Sequence, residues 1–335
     1  MNKVTDPEIT VLMSCYNAKR WLQEAIDSVL RQTFENFEFI IVDDGSTDET
    51  WSIIQSNSDK DVRIVKTKKV NTGLADSLNA GIAHAKGTWI ARLDADDLCE
   101  PTRLEEQINF IRKHLEVVLL GTGFLELDGK GSILKCHSFP AGHNRLVHHL
   151  KRSMSFFPHS SAFYNTVMVG NSGGYNPRFR RAEDTDLWLR LSERGKLACL
   201  GKPLVKIRKH SDQISRDQGG ERQLFDSMAA KVCHFLRVSG TPAPSSSKEV
   251  ADWRCFLEWI ENNIIEEGAF QKRQAWVKAR AAFFATENRL IGTLNFTRCL
   301  LQSGHTGALV WEKFFGSSMP KRLAKEWMKL LCSVS

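Results

Sequence analysis

The chain has 335 residues, 42% hydrophobic and 25% charged. That supplies one substantial α/β core with an appendage, and the charge content argues against bulk disorder. No apolar run reaches the roughly eighteen residues of a membrane-spanning helix. Met1 to Glu8 is polar and unlike a signal peptide, so a cytoplasmic protein is expected. The formal net charge of +7 suits phosphorylated substrates, anionic lipid or nucleic acid, and its sign alone does not choose among them. The eight cysteines, at 15, 99, 136, 199, 233, 255, 299 and 332, include no C-x-x-C pair, so reduced thiols are expected rather than a zinc or redox centre.

In chain order, Ile9 to Cys15 is an apolar run ending in small and polar residues, the pattern of a buried strand. From Lys19 to Gln32, apolar residues return at helical spacing (Trp21, Leu22, Ala25, Ile26, Val29, Leu30). Phe37 to Val42 predicts a second strand, stopped by Asp43-Asp44-Gly45-Ser46. A helix capped by Thr47 or Asp48 follows and runs through Ile54. Val62 to Thr67 predicts a third strand, Leu74 to Ala85 a helix with Gly87 beyond its end, and Trp89 to Leu93 a fourth strand. That strand runs directly into Asp94-Ala95-Asp96-Asp97. Thr102 to His114, opened by Pro101, is again helical. Such alternation predicts right-handed crossovers and a mostly parallel sheet with helices on both faces.

Beyond Val117 the pattern changes. Phe124 to Lys135 is a hairpin around Asp128-Gly129-Lys130-Gly131, Arg178 to Arg194 a helix, and Leu204 to Arg208 a strand. Thr241-Pro242-Ala243-Pro244-Ser245-Ser246-Ser247 has linker composition. After it, Trp253 to Ile265, Gln271 to Asn288 and Leu290 to Leu301 have helical patterns.

Ligands of open parallel sheets bind beyond the carboxyl ends of the strands. There the sequence places Tyr16-Asn17, Asp43-Asp44 and Asp94 to Asp97. Carboxylates one residue apart, as in Asp94-x-Asp96, can hold a hard divalent cation through oxygen. A cation there can bridge and neutralise the phosphates of a nucleoside diphosphate. A carboxylate such as Asp43 can accept from a base imide N–H or a ribose hydroxyl. Tyr16 offers an aromatic face for a base, and equally a ring packed on the sheet rim.

Together these segments resemble the glycosyltransferase family 2 catalytic domain, of GT-A fold. The resemblance runs from about Glu8 to Arg216. Val11 to Asn17, Ile41 to Asp48, Asn71 to Ala75, Ala91 to Asp97, and Gly173-Gly174-Tyr175 followed by Ala182 to Trp188 carry it. It implies an inverting transferase that moves a sugar from a nucleotide-diphosphate sugar, with uracil the expected base, to a glycan or lipid-linked acceptor. The implied nucleotide set is Ser14, Tyr16, Asp43, Asp44 and Asp94. Asp96 would hold a divalent cation (Mn²⁺ or Mg²⁺), with Asp97 as helper. Asp184 would be the general base, with Asp186 the other candidate, although both also suit a helix start favoured by the dipole. His210 falls where related transferases carry a histidine near the metal or diphosphate, and His159 where they carry one near the acceptor pocket. Either can equally be a structural or surface histidine.

The implied organisation is a GT-A domain over residues 1–220, a connecting helix over 221–240, a linker over 241–248 and a helical domain over 249–335. The last segment, Trp311 to Leu331, mixes aromatic and basic residues and suits either peripheral contact with the inner face of a membrane or a helix packed on its own domain. A nucleotidyltransferase would need a Gly-rich phosphate loop near the first strand, and a dinucleotide oxidoreductase a G-x-G-x-x-G there, and Ser14-Cys15-Tyr16-Asn17 is neither. A nucleotide-holding module that has lost catalysis is the remaining rival, opposed by the intact Asp94, Asp96 and Asp184. Nucleic-acid binding is not expected, since no basic motif with interleaved aromatics occurs in the first half.

Overall fold

A computed structural model describes residues 6–139, 141–152, 156–210, 221–266 and 319–334. The chain divides into two compact units, residues 1–150 with 154–216, and residues 151–153 with 217–335.

The first unit is built on a nine-stranded sheet. Its strands are β1 (Ile9–Cys15), β2 (Phe37–Asp43), β3 (Ile64–Lys68), β4 (Trp89–Asp94), β5 (Leu98–Cys99), β6 (Val117–Leu127), β7 (Ile133–His137), β8 (Phe163–Asn165) and β9 (Lys196–Arg208). The order is β3-β2-β1-β4-β8-β6-β9-β5, with β7 also paired to β6. Strands β1 to β4 are mutually parallel, as is the β6–β9 pair, while β5, β7 and β8 run antiparallel to their neighbours.

The side-chain alternation of β1 and β2 sorts the two faces of the sheet. Val11, Met13, Phe39 and Ile41 point to one core, where they meet α1 (Leu22–Leu30), α2 (Thr50–Ser58) and α4 (Arg103–Ile111). Leu12, Ile40 and Val42 point to the other, with α3 (Leu74–His84), α5 (His143–Lys151), α6 (Thr166–Asn171) and α7 (Glu183–Ser192). Burial on both faces is why these strands read as near-continuous apolar runs.

Helix α1 starts at Leu22 rather than Lys19 because the preceding residues are held by the β2 loop. Asn17 N–H donates to Ser46 Oγ, Thr47 N–H to Asn17 Oδ1 and Ala18 N–H to Thr50 Oγ1. Asn17 sits at φ 49°, in the left-handed region. The helix expected from Arg178 begins only at Glu183, since the preceding segment turns to bury Tyr175 and Phe179. Strand β9 is longer than its predicted half, starting at Lys196, with a pairing irregularity opposite Thr122-Gly123.

The second unit contains α8 (Glu221–Val238), α9 (Val250–Glu266) and α10 (Met319–Val334). The Pro/Ser-rich segment between α8 and α9 is not an extended tether. Pro244–Ser246 forms a short 3-10 turn, and Ala243, Pro244 and Ser245 are buried. Helix α10 buries Met319, Leu323 and Ala324 and sets Trp327 5.0 Å from the rings of both Phe256 and Trp259, while Lys321, Arg322, Lys325 and Lys329 are exposed. The apolar side of its first part is therefore packed within its own unit, while Leu330 and Leu331 near its end are exposed. The helices expected at 271–288 and 290–301 lie outside the described residues. No helix among the described residues is long and apolar enough to cross a membrane.

Candidate active site

Strand register assembles the site. Cys15 pairs with Asp43 and Ser14 with Asp94, so the ends of β1, β2 and β4 carry their polar residues along one rim. Tyr16, just past β1, is 52% exposed, as a stacking platform must be. Asp43 is fully buried. Its Oδ1 accepts from Ser46 N–H at 3.2 Å, Lys68 Nζ stands 3.8 Å from Oδ2, and Oδ2 has no hydrogen-bond donor among the described residues. A buried oxygen without a donor is costly, and a ligand N–H or O–H would remove that cost.

Asp44, its neighbour, faces the other way. Its carboxylate accepts from Thr72 N–H at 3.0 Å and Gly73 N–H at 2.9 Å, and pairs with Lys69. It therefore holds the loop between β3 and α3 against the β2 turn. Gly45 allows that approach: at φ 76°, a Cβ there would lie 2.8 Å from Asn71 N.

Asp94, Asp96 and Asp97 bring carboxylate oxygens within 4.8 Å of one another. They differ in their partners. Asp94 pairs with the buried Arg92 and accepts from Ser160 Oγ at 2.8 Å. Burial pushes its carboxyl up, but the Arg92 charge outweighs this and leaves it below the usual range. Asp97 accepts from Arg208 N–H at 3.0 Å and lies against Ser160. Burial, with Asp96 and Asp94 adding, pushes it well above the usual range. Asp96 meets His210, whose Nε2 lies 2.8 Å from Oδ2. The His210 ring packs on Trp21 at 4.1 Å, and its Nδ1 is buried with no partner among the described residues. The three carboxylates, with the imidazole beside Asp96, offer oxygen and nitrogen donors of the kind that Mn²⁺ or Mg²⁺ accepts.

Asp184 occupies the first turn of α7. Its Oδ1 accepts from Thr185 N–H at 2.5 Å. Burial raises its pKa, with Asp94 adding to the effect. Glu183 beside it is 8% exposed, its Oε2 has no partner among the described residues, and burial followed by the Asp184 charge raises it to about 8. Asp186, the other expected base candidate, is fully buried and pairs with Arg190, with oxygen–nitrogen distances of 2.8 and 2.6 Å. That ion pair ties α7 internally. His159 does not reach the acidic loop by hydrogen bond. Its Nε2 lies 2.7 Å from Tyr175 Oη, in an aromatic nest with Trp188. Burial, with the Arg92 charge adding, lowers its pKa well below the ordinary imidazole value, so the ring is neutral.

Three side chains in this site did not stand out in the sequence. Arg92 announces itself only as an arginine inside an otherwise apolar strand. Glu183 stands beside Asp184 with nothing in the sequence to mark it as buried. Ser160 gives no signal, since a serine in a 3-10 turn (His159–Ser161) is unremarkable until the fold sets it under Asp94.

The comparisons with known proteins agree with this geometry. Residues 10–184, more than half the chain, match the family described as Glycosyl transferase family 2. EpsE of Bacillus subtilis (strain 168), whose name includes glycosyltransferase, is 36% identical over 222 residues, covering 63% of this chain and 76% of that protein. The amylovoran biosynthesis glycosyltransferase AmsE of Erwinia amylovora is 30% identical, over 68% of this chain and 88% of that protein. Among solved structures, S. aureus TarS 1-349 in complex with UDP-GlcNAc superposes with a TM-score of 0.57 at 16% identity, over 96% of this chain and 92% of that one. Mannosyltransferase PcManGT from Pyrobaculum calidifontis, in complex with GDP-Man and Mn²⁺, gives 0.52 at 18% identity, over 97% and 88%. These neighbours share the GT-A fold. With its fold, its rim of carboxylates and the match across the sheet that carries them, the chain belongs to glycosyl transferase family 2 and is a glycosyltransferase.

Proposed function

We propose that this enzyme moves a sugar from a UDP-sugar to a hydroxyl of a glycan or lipid-linked glycan, inverting the anomeric configuration. The observation that carries the reading is the convergence on one unit of a base site (Tyr16 and Asp43), an acidic loop with a histidine, and a buried carboxylate at a helix start (Asp184). Tyr16 stacks on the base and Asp43 Oδ2 accepts the imide N–H of uracil. Asp94 retains lone pairs for a ribose hydroxyl. Asp96 and His210 would hold a divalent cation, which when bound supplies positive charge against the leaving diphosphate.

In the transfer, Asp184 orients an acceptor hydroxyl and takes its proton. The hydroxyl oxygen bonds to the anomeric carbon from the face opposite the phosphate, the bond from that carbon to the phosphate oxygen breaks, and UDP departs with that electron pair. One displacement inverts the centre and needs no protein nucleophile. A positioned base contributes about 10²–10⁴-fold. Its raised pKa suits this task, because a carboxylate of higher pKa is a stronger base. Asp44 and Asp186 serve the scaffold rather than the substrates, and Asp97 supports the acidic loop from beneath.

The nucleotide sugars bound to TarS and PcManGT support a nucleotide-sugar donor. The biosynthetic name of AmsE supports a polysaccharide acceptor. A lipid-linked acceptor would bring the enzyme to a membrane surface, where the exposed basic side of α10 suits anionic head groups.

The test is turnover of UDP-glucose, UDP-galactose and UDP-GlcNAc with Mn²⁺, followed by NMR at the anomeric proton. These α-linked donors should give a β product first. First appearance of an α product, or no turnover of any nucleotide sugar with any acceptor, contradicts the reading.

A further inference from the structure

The transfer described above gives no part to Arg92, although Arg92 lies at the centre of the site. It is 2% exposed, in the middle of β4, two residues before Asp94. Taking a guanidinium out of water is expensive, and the cost is recovered only with good partners. Its two terminal nitrogens find specific partners, while Nε is buried with no partner among the described residues. One terminal nitrogen, Nη2, pairs with Asp94 Oδ1, and the other, Nη1, donates to Ser160 Oγ at 3.1 Å. Ser160 Oγ in turn accepts from Asp94 N–H at 3.2 Å, lies 2.8 Å from Asp94 Oδ2 and touches Asp97 Oδ2.

The strand beneath is itself held. Arg92 N–H donates to Ala162 O at 2.9 Å, and Arg92 O accepts from Arg103 Nη2 at 2.8 Å. Arg92 is thus locked in place, and through it and Ser160 two of the three loop carboxylates are held from the protein side. The third, Asp96, is left facing His210.

We propose that Arg92 and Ser160 are positioning residues that preassemble the acidic loop, so that a cation and a nucleotide diphosphate meet carboxylates already in place. A guanidinium suits this because its planar fork fixes a direction, whereas a lysine ammonium supplies charge without one. Its charge also acts on Asp184 and Glu183, so one buried cation tempers the acids on both sides of the reacting centre. The inference rests on the donor-site reading above. It adds that the larger effect lies in the metal-dependent part of nucleotide affinity, because the base site of Tyr16 and Asp43 does not touch the clamp and only the ribose contact proposed for Asp94 does.

The experiment is calorimetry of the full chain with UDP, with and without Mn²⁺, for wild type, Arg92→Lys and Ser160→Ala, with circular dichroism to verify folding. Ser160→Ala removes one hydroxyl and no charge, so it carries the test if Arg92→Lys does not fold. Groups that support metal ligands typically contribute 10–100-fold to metal affinity or activity. The expected result is a fall in metal-free UDP affinity of no more than about 10-fold, the size of the one ribose hydrogen bond of Asp94, with the strengthening by Mn²⁺ reduced by a further factor of about 10. Full Mn²⁺ strengthening in the folded variants overturns the proposal. So does an equal loss with and without metal, which is the mark of general damage. If wild type binds none of UDP, GDP or dTDP, the donor-site reading itself fails, and that is visible before any variant is compared.

Discussion

His210 Nε2 stands 2.8 Å from Oδ2 of Asp96, a partner 114 residues earlier in the chain. Strand β9 makes this meeting possible. It carries Arg208, whose N–H donates to Asp97 and whose Nε donates to Asp96 O at 3.2 Å, and it ends two residues before His210. The imidazole is then held against Trp21 of the loop after β1. Elements from three parts of the chain thus fix this imidazole. His210→Ala should weaken Mn²⁺ binding by about 10–100-fold in metal titrations while leaving metal-free nucleotide affinity unchanged. Unchanged Mn²⁺ affinity would remove His210 from the ligand set.

Asp184→Asn keeps shape and hydrogen bonding but cannot take a proton. It should lower kcat by about 10²–10⁴-fold, with UDP affinity intact. The matching change at Asp186 should act differently. Asp186→Asn weakens the ion pair with Arg190 inside α7, so the loss should appear in thermal stability. If Asp186→Asn instead removed turnover with unaltered stability, the two assignments would be reversed.

Asp43 and Asp44 are neighbours with different partners, and single substitutions should separate their proposed roles. Asp43→Ala should abolish detectable nucleotide binding, since its oxygen without a donor is the one we propose accepts from the base. Asp44→Ala should remove the anchors of Thr72 and Gly73 N–H and destabilise the fold by about 1–3 kcal/mol in denaturant titration, leaving those donors unmet.

The acidic pair at the start of α7 sets a pH signature. Burial raises the pKa of Asp184, so the acid limb of kcat/KM should lie above the ordinary carboxylate range, with activity rising as Asp184 loses its proton. Glu183 supplies a stability signature of its own. Its folded pKa is about 8 against an ordinary 4.5, so the folded state holds the proton more tightly than the unfolded chain. The associated stability is fully present below about pH 4.5 and is lost as pH rises through about 8. Glu183→Gln should flatten that decline and unfold at higher temperature than wild type near pH 8. A decline of unchanged steepness in the variant would show that Glu183 is not its source.

Strands β1 to β4 were legible in sequence to within two residues, because burial on both faces writes an apolar run and a polar residue stops it. The same logic located Tyr16, Asp43 and the Asp94 loop at the strand ends. Strands β5 and β8 were not legible, being only two and three residues long, with no room for periodicity. The first half of β9 was hidden by Gly201-Lys202-Pro203, a turn-like triplet that the sheet accommodates as a pairing irregularity. The unequal surroundings of Asp43 and Asp44, or of Asp184 and Asp186, could not be read from identical letters close together in the chain. They depend on which oxygen meets Lys69, Thr72 or Arg190, and those partners come together only through tertiary packing.

The most direct test of the donor site is a thermal-shift titration of wild type and Asp96→Ala with UDP, GDP and dTDP, with and without Mn²⁺. A ligand at 100 times its dissociation constant adds about 2.7 kcal/mol of stability. The account predicts that UDP with Mn²⁺ stabilises wild type most, and that Asp96→Ala loses the metal-dependent increment. Absence of stabilisation by every nucleoside diphosphate, with or without metal, contradicts it.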